Sequence, residues 1–571
     1  MKALRDLTVL RKDLQGWTDN LAWGPDGTLY ITTVPDLTRC QPVYNKTVTN
    51  NSIDLFHVKE HKLSLPNKLE FENAQENIML NSLPESFITQ CQASPVNNLL
   101  AVVTNNGGVC IYENDFLISQ LDEPGKMLNE RTYHSVSWSH DGTMIATGNE
   151  CGQVVLFSCN TTKGTCFEFK SSINLDDESK SWVTKLKWVD GNLLAALSNN
   201  AVFLINCDFT HTRIKEPSRF AIFDLCAIQS NILITTIGSV YRYELADKKA
   251  DVIPWNGYEE LYIVPVPKQN KAIIISNTKS CTLELNQGIR LSEDQILAPH
   301  LETKFRRWNS YFNELNNYET NLLIHGISIS CDGASVALLY SIDRLSIRYR
   351  IVSEQVYRIC ILPLADDWEI RPESSGLAWY QNYQIYGKKL PSNYTEQAPS
   401  PELNVTVEFP TFLGELMSSD SMNILRFSNY FGEKPDNHLY KKAIYEYAMA
   451  HRDKITNVLD KACVLSISHI LALVSPFEID CYVMKSEFIE ETFTAAVGEE
   501  KETVRSMEGH VWKRCAATFL PLLTPEVKIC PVTGFRMIDL QKDHYNEYGW
   551  LTTSLLQLSN RQSIYSGTKM I

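Results

Sequence analysis

The chain has no two cysteines in C-x-x-C spacing, although fifteen are scattered from Cys40 to Cys530. No disulfide-like framework emerges, so the expectation is reduced, mostly buried thiols in a reducing compartment. No stretch approaches the ~20 uncharged apolar residues of a membrane span. Met1-Lys2-Ala3-Leu4-Arg5-Asp6 breaks into charges at once and lacks the apolar run of a signal peptide. The sequons at Asn45, Asn50, Asn160, Asn393 and Asn404 then read as chance matches in an intracellular protein. Positive charge is also short: 53 Lys and Arg against 67 Asp and Glu leave a net charge of −14. That balance argues against a chain that coats nucleic acid by itself, because phosphate binding needs a basic face. No phosphate-cradling glycine loop, G-x-S-x-G elbow or H-E-x-x-H pair occurs.

What is present is a repeat. The 571 residues are 44% hydrophobic and 21% charged, enough apolar material for a packed core. A β-prone run, a tight turn and a second run recur at Leu21–Ile31, Val136–Ala146 and Ile327–Ala337, with Asp26-Gly27, Asp141-Gly142 and Asp332-Gly333 at the turns. Weaker copies turn at Val96-Asn97-Asn98, Asp190-Gly191, Ser230-Asn231 and Gln269-Asn270. Four of the six gaps between these seven turns lie near the period of about 40–45 residues of a four-stranded propeller blade. The two longer gaps call for insertions near 41–75 and 298–317. The second insertion carries Phe305, Trp308, Phe312 and Leu315 at helical spacing, with Lys304, Arg306 and Arg307 on a solvated face. The pattern predicts a mostly β protein: a degenerate seven-bladed β-propeller over 1–390, then a smaller C-terminal α/β domain.

Pro391, Pro399 and Pro401 mark a linker over 391–407. The domain over 408–571 opens with helical patterning at Phe412, Leu416, Met422 and Leu425. A stripe follows at Leu439, Ala443, Ile444, Tyr447 and Ala448, and the longest apolar helix is expected over Ile455–Val474. Beyond Glu500 the texture is β-like at Ala516–Leu523, Val527–Cys530 and Arg536–Leu540.

Chemistry-bearing residues are sparse. His134 and His140 flank a predicted strand, without a nucleophile signature beside them. Cys515 and Cys530, with His544, are the best metal candidates. They fall short of the four soft ligands of a structural zinc, so buried thiols are the expectation, with no metal and no cofactor. No acids or bases converge at recognisable spacing, which favours a non-enzymatic ring presenting its rims to other proteins.

Several segments carry a resemblance. Leu21-Ala22-Trp23 with Asp26-Gly27-Thr28-Leu29-Tyr30, Arg131-Thr132-Tyr133-His134, and Ala195 to Asn200 are the first. Asn316 to Thr320 with Ile324-His325-Gly326-Ile327-Ser328, Gly376 to Gln381, Trp512-Lys513-Arg514-Cys515, and Tyr548-Gly549-Trp550 complete it over nearly the whole chain. In these segments the sequence resembles the propeller-bearing sixty-kilodalton subunits of yeast transcription factor IIIC. The resemblance implies a nuclear, non-catalytic scaffold that supports B-block promoter recognition at transfer-RNA genes and assembly of the RNA polymerase III initiation complex. It implies as partners the other subunits of that factor, especially a second propeller subunit, and the TATA-binding protein with its associated initiation factor. DNA would be met through the complex. Larger relatives carry a C-terminal zinc finger, whose full ligand set is missing here. Trp379, Tyr380, Trp512 and Arg514, at predicted domain junctions, are the candidate partner-binding residues. The competing readings are a chromatin-modifying, acetyltransferase-type subunit, for which no acetyl-CoA loop is found, or a propeller scaffold of a different nuclear or coat assembly. Lys248-Lys249, Lys388-Lys389 and Lys441-Lys442 are too short to serve as import signals.

Overall fold

The computed structural model describes residues 5–8, 20–33, 36–42, 56–66, 86–113, 115–125, 132–160, 165–175, 181–189, 191–266, 270–285, 290–295, 297–299, 301–303, 320–331, 333, 335–344, 357–364, 403–431, 437–494, 502–568 and 570. They fall in two compact units, one within residues 1–366 and one in the C-terminal part. In the first unit, all seven turns anticipated from sequence separate the first and second strands of a four-stranded antiparallel sheet. The sheets form a seven-bladed β-propeller.

Blade 1 is built from Leu21–Trp23, Leu29–Thr32, Leu37–Pro42 and Phe56–His61. Blade 2 is built from Ile88–Ala93, Leu99–Thr104, Val109–Glu113 and Phe116–Leu121. Blade 3 takes Tyr133–Trp138, Met144–Asn149, Gln153–Asn160 and Cys166–Asn174, and blade 4 Val183–Val189, Asn192–Leu197, Val202–Ile205 and His211–Lys215. Blade 5 takes Ile222–Ile228, Asn231–Thr236, Ser239–Glu244 and Lys249–Pro254, and blade 6 Tyr262–Val266, Lys271–Ile275, Ser280–Glu284 and Arg290–Glu293. Blade 7 is composite: Thr320–Ile329, Ser335–Arg344 and Tyr357–Pro363 are completed by the N-terminal strand Arg5–Thr8, which pairs antiparallel with Tyr357–Pro363.

Local chemistry sets the turns. Gly27 and Gly142 take φ of 83° and 68°, in the left-handed region that only glycine enters without strain. In both turns the preceding aspartate accepts from the following threonine. Asp26 binds the amide and hydroxyl of Thr28 at 3.1 and 2.8 Å, and Asp141 binds those of Thr143 at the same distances. Second strands such as Leu99–Thr104 and Asn231–Thr236 are buried on both faces, while outer strands such as Lys249–Pro254 are largely exposed. Six apolar clusters each span two neighbouring blades; one joins Leu99, Val103 and Ile111 of blade 2 to Val136, Ile145 and Val155 of blade 3. Indoles tie adjacent inner strands: Trp138 Nε1 donates to Gln92 O at 3.2 Å and Trp188 Nε1 to Ser137 O at 3.1 Å.

The insertion expected over 41–75 is not one block. Leu37–Pro42 and Phe56–His61 pair as the two outer strands of blade 1, so the added residues divide between an interruption of that blade at 43–55 and the connection from it to Ile88–Ala93. The aromatic helix expected at 305–315 lies outside the described residues, as do Pro391, Pro399 and Pro401 of the linker.

In the second unit, α1 (Phe409–Ser418), α2 (Asp420–Phe431), α3 (His438–Ala450), α4 (Val458–Ile470) and α5 (Trp550–Arg561) pack around one core with three two-stranded hairpins. The hairpins are Cys481–Lys485 with Glu490–Thr494, Thr503–Arg505 with Val511–Lys513, and Val527–Ile529 with Arg536–Ile538. Leu403, Val405 and Val407 already pack against this core, ahead of α1. The helix expected over Ile455–Val474 is shorter. Asn457 caps its start by accepting from Leu459 N and Asp460 N, and Ala472, at φ 56°, lies just beyond its end. Ala516–Leu523, expected as a strand, turns at 516–518 and then pairs back only through a bridge of Pro521 to Arg514. Among the described residues no helix is long and apolar enough to cross a membrane.

Two polar centres, one half-buried and one fully buried, carry measurable consequences. In blade 7, His325 Nε2 lies 2.7 Å from Ser341 Oγ and its ring is edge-on to Tyr357, while its carbonyl accepts from Asn20 at the entry to blade 1. Burial pushes its pKa down to about 4. The ring is therefore neutral when folded, and unfolding takes up a proton between about pH 4 and the ordinary histidine value. Stability is fully present above about pH 6.5 and falls as pH drops toward 4, by up to about 3 kcal/mol. Urea titrations across that window should show a shallower pH slope for His325→Gln than for the parent; equal slopes would contradict the burial argument.

Asp460, fully buried in the first turn of α4, accepts from Leu551 N and Thr552 N at 3.1 and 2.8 Å and from Thr552 Oγ1 at 2.6 Å, closing the N-terminus of α5. Charge-assisted bonds at a helix start are among the stronger ones. Asp460→Ala should lower the stability of this unit by about 3 kcal/mol in chemical denaturation, because it strands three buried donors. Gly549→Ala should be comparably damaging, since an added Cβ would collide with the Asp460 carboxylate.

Candidate functional site

Among the described residues, no three His, Cys, Asp or Glu side chains converge as a metal-binding group. His134 sits at an exposed position of blade 3 against the ring of Trp182, with centroids 5.5 Å apart. The polar chemistry of the second unit gathers instead around two cysteine-first turns, residues 515–520 and 530–535.

The two turns are built alike. Phe519 N donates to Cys515 O at 2.8 Å and Cys515 N to Leu520 O at 2.7 Å. In the second turn, Gly534 N donates to Cys530 O and Cys530 N to Phe535 O, both at 2.9 Å. The fifth residue is left-handed in each, Phe519 at φ 59° and Gly534 at φ 72°. Ala516 N donates to Arg536 O at 2.8 Å, so the first turn rests on the strand that leaves the second.

A hydrogen-bonded frame grips the first of these turns from α3 and from the segment after α5. Tyr440 OH of α3 donates to Ala517 O at 3.1 Å and Tyr565 OH to Ala516 O at 2.6 Å. Tyr565 is held in turn by Asn429 of α2, whose Nδ2 donates to its carbonyl at 3.0 Å. Arg426 of α2 donates from Nε to Ile564 O at 3.1 Å and from Nη1 to Met417 O at 3.2 Å. Burial lowers the Arg426 pKa to about 10, which leaves the guanidinium charged at neutral pH.

The candidate partner-binding residues divide. Trp379 and Tyr380 lie outside the described residues. Trp512, in Val511–Lys513 opposite Val504, is half-buried against the core, with its ring 6.4 Å from that of His510. Arg514 is only 8% exposed. Its Nη1 donates to Phe519 O at 3.0 Å and to Ser466 Oγ of α4 at 3.2 Å, and burial draws its pKa below the ordinary arginine value. Sequence reasoning missed Asp460, Arg426 and Tyr565. Only Asp460, shortly after a capping asparagine, leaves a readable trace in the sequence.

Residues 481–570 match the family model described as "Putative zinc-finger of transcription factor IIIC complex". Over its whole length the chain is 40% identical to the transcription factor tau 60 kDa subunit of Saccharomyces cerevisiae (strain ATCC 204508 / S288c), all of which is covered. Among solved structures, a chain of the mitotic checkpoint complex aligns over 64% of this chain and 95% of its own, at 9% identity and a TM-score of 0.40. The WD40 domain of Neurospora crassa Pan2 aligns over 60% and 89%, at 13% identity and a TM-score of 0.36.

Proposed function

This chain belongs to the family of the transcription factor tau 60 kDa subunit, and from that membership we infer that it is a non-catalytic scaffold subunit of transcription factor IIIC. The observation that carries the reading is the likeness to that subunit from end to end, at 40% identity. In this role the propeller and the C-terminal unit hold other subunits of the factor, a second propeller subunit foremost. They support B-block recognition at transfer-RNA genes and recruitment of the TATA-binding protein with its initiation factor, in the nucleus. The physical support is twofold. A ring whose inner strands are fixed to their neighbours is a rigid platform, and a chain of net charge −14 suits docking of basic partners better than wrapping of DNA.

Purification of the tagged full-length chain from its own cells, with identification of what accompanies it, tests the assignment. Transcription factor IIIC subunits should co-purify; a coat or pore assembly in their place would overturn it. The isolated chain should show only weak, salt-sensitive affinity for a B-block duplex, and submicromolar sequence-specific binding near physiological salt would refute indirect contact.

Trp512 and Arg514 are the proposed partner-binding residues on the described surface; Trp512 is the better anchor, because Arg514 is 8% exposed and already bonded to Phe519 O and Ser466 Oγ. Trp512→Ala should weaken capture of the partner propeller subunit by roughly tenfold or more, the cost of about 1.4 kcal/mol or above. The circular dichroism of the variant should stay that of the parent. Unchanged capture by the folded variant would remove Trp512 from the interface.

A further inference from the structure

The family model over residues 481–570 names a zinc finger, yet the donors this chain retains there do not fit a zinc ion. Structural zinc takes four nitrogen or sulfur ligands in tetrahedral array, commonly as paired C-x-x-C turns. Three cysteines lie in the segment: Cys481, exposed on a hairpin, and the buried Cys515 and Cys530. Both buried sulfurs already have partners. Cys515 Sγ accepts from Ile538 N at 3.4 Å. Cys530 Sγ accepts from Thr533 N at 3.4 Å and lies 3.1 Å from Ser566 Oγ. His510 is held by Glu491, with Nδ1 2.6 Å from the buried carboxylate, and His544 is exposed.

The turns themselves have the shape the ligands would need. Each starts at a cysteine, folds back through a bond from the fifth residue's amide to the cysteine carbonyl, and passes through a left-handed fifth residue. The fourth position, where a C-x-x-C turn carries its second thiolate, is Thr518 in one and Thr533 in the other. Thr518 is completely buried and its hydroxyl has no partner. An orphaned polar atom in a core marks a place whose surroundings were not arranged for it.

We propose that residues 515–519 and 530–534 are two metal-ligand turns whose second cysteines are replaced by Thr518 and Thr533, and that hydrogen bonds to the sulfurs of Cys515 and Cys530 hold the segment together without zinc. The bonds from Ala516 N to Arg536 O and from Ile538 N to Cys515 Sγ, with the frame from Tyr440 and Tyr565 onto Ala517 and Ala516, supply the cross-linking that a tetrahedral ion supplies elsewhere. This inference rests on the turn geometry and not on the scaffold assignment, so either can fail without the other.

The full-length chain, purified without chelator, decides the first half. It should carry no stoichiometric zinc by elemental analysis, and its thermal midpoint should not move when EDTA is added. Stoichiometric zinc, or a midpoint that drops with EDTA, overturns the proposal. For the second half, the full-length Thr518→Cys/Thr533→Cys variant completes both turns. It should take up stoichiometric cobalt(II), with a thiolate-to-metal absorption band that EDTA abolishes. A folded double variant without that band overturns the identification of the turns. The single variant Thr518→Val, which only removes the orphaned hydroxyl, should unfold at or above the parent midpoint. A lower midpoint would show that the hydroxyl has a partner and would overturn the argument from its burial.

Discussion

Every sheet in the ring would leave an unpaired edge or an uncovered apolar face unless the circle closes, and it closes only because blade 7 takes its outer strand from the other end of the propeller. Pairing of Arg5–Thr8 with Tyr357–Pro363 turns a linear array of hairpins into a ring in which each blade has two neighbours. The apolar clusters are shared between blades rather than housed within them, so no blade has a complete core of its own. That sharing explains why second strands are buried on both faces while outer strands turn polar residues to water.

The C-terminal unit solves a different problem. Its hairpins are short, and its core depends on polar groups placed where backbone would otherwise be stranded. Asp460 in the first turn of one helix closes the start of another. Arg426 and Asn429 hold the carbonyls of Ile564 and Tyr565, and Tyr565 in turn holds the first cysteine turn. Such a chain of buried, satisfied bonds specifies one arrangement of helices and hairpins, as a fully connected polar network does.

Much of the ring was legible because its signals are local. Asp-Gly and its substitutes fall between two β-prone runs, and a turn needs little beyond its own residues to form. Gln229 and Asn270 are left-handed where glycine is missing, which is why those copies read more faintly. What escaped was long-range or masked by texture. The strand Phe56–His61 reads as part of an insertion because its interior is polar, and only Phe56 and His61 of its six residues are buried. The hairpin Cys481–Lys485 with Glu490–Thr494 alternates faces cleanly, but over runs too short to stand out. Ala516–Leu523 reads as a strand because all but one of its residues are apolar or proline; its first half is a turn stapled by distant tyrosines, which no local pattern announces. In the candidate site the two cysteines were visible in sequence. Their bonds to Ile538, Thr533 and Ser566 came only from tertiary placement, as did the burial of Arg514.

The composite blade also orders events in time. A ribosome releases Arg5–Thr8 first, but its partner strand emerges roughly 350 residues later, so the ring stays open through most of translation. During that interval the nascent chain displays an unpaired strand at its start and uncovered apolar blade faces at both ends of a growing arc, the situation in which holding chaperones are most needed. Loss of either terminal strand would leave the same arc permanently ajar, and adhesive to its own copies.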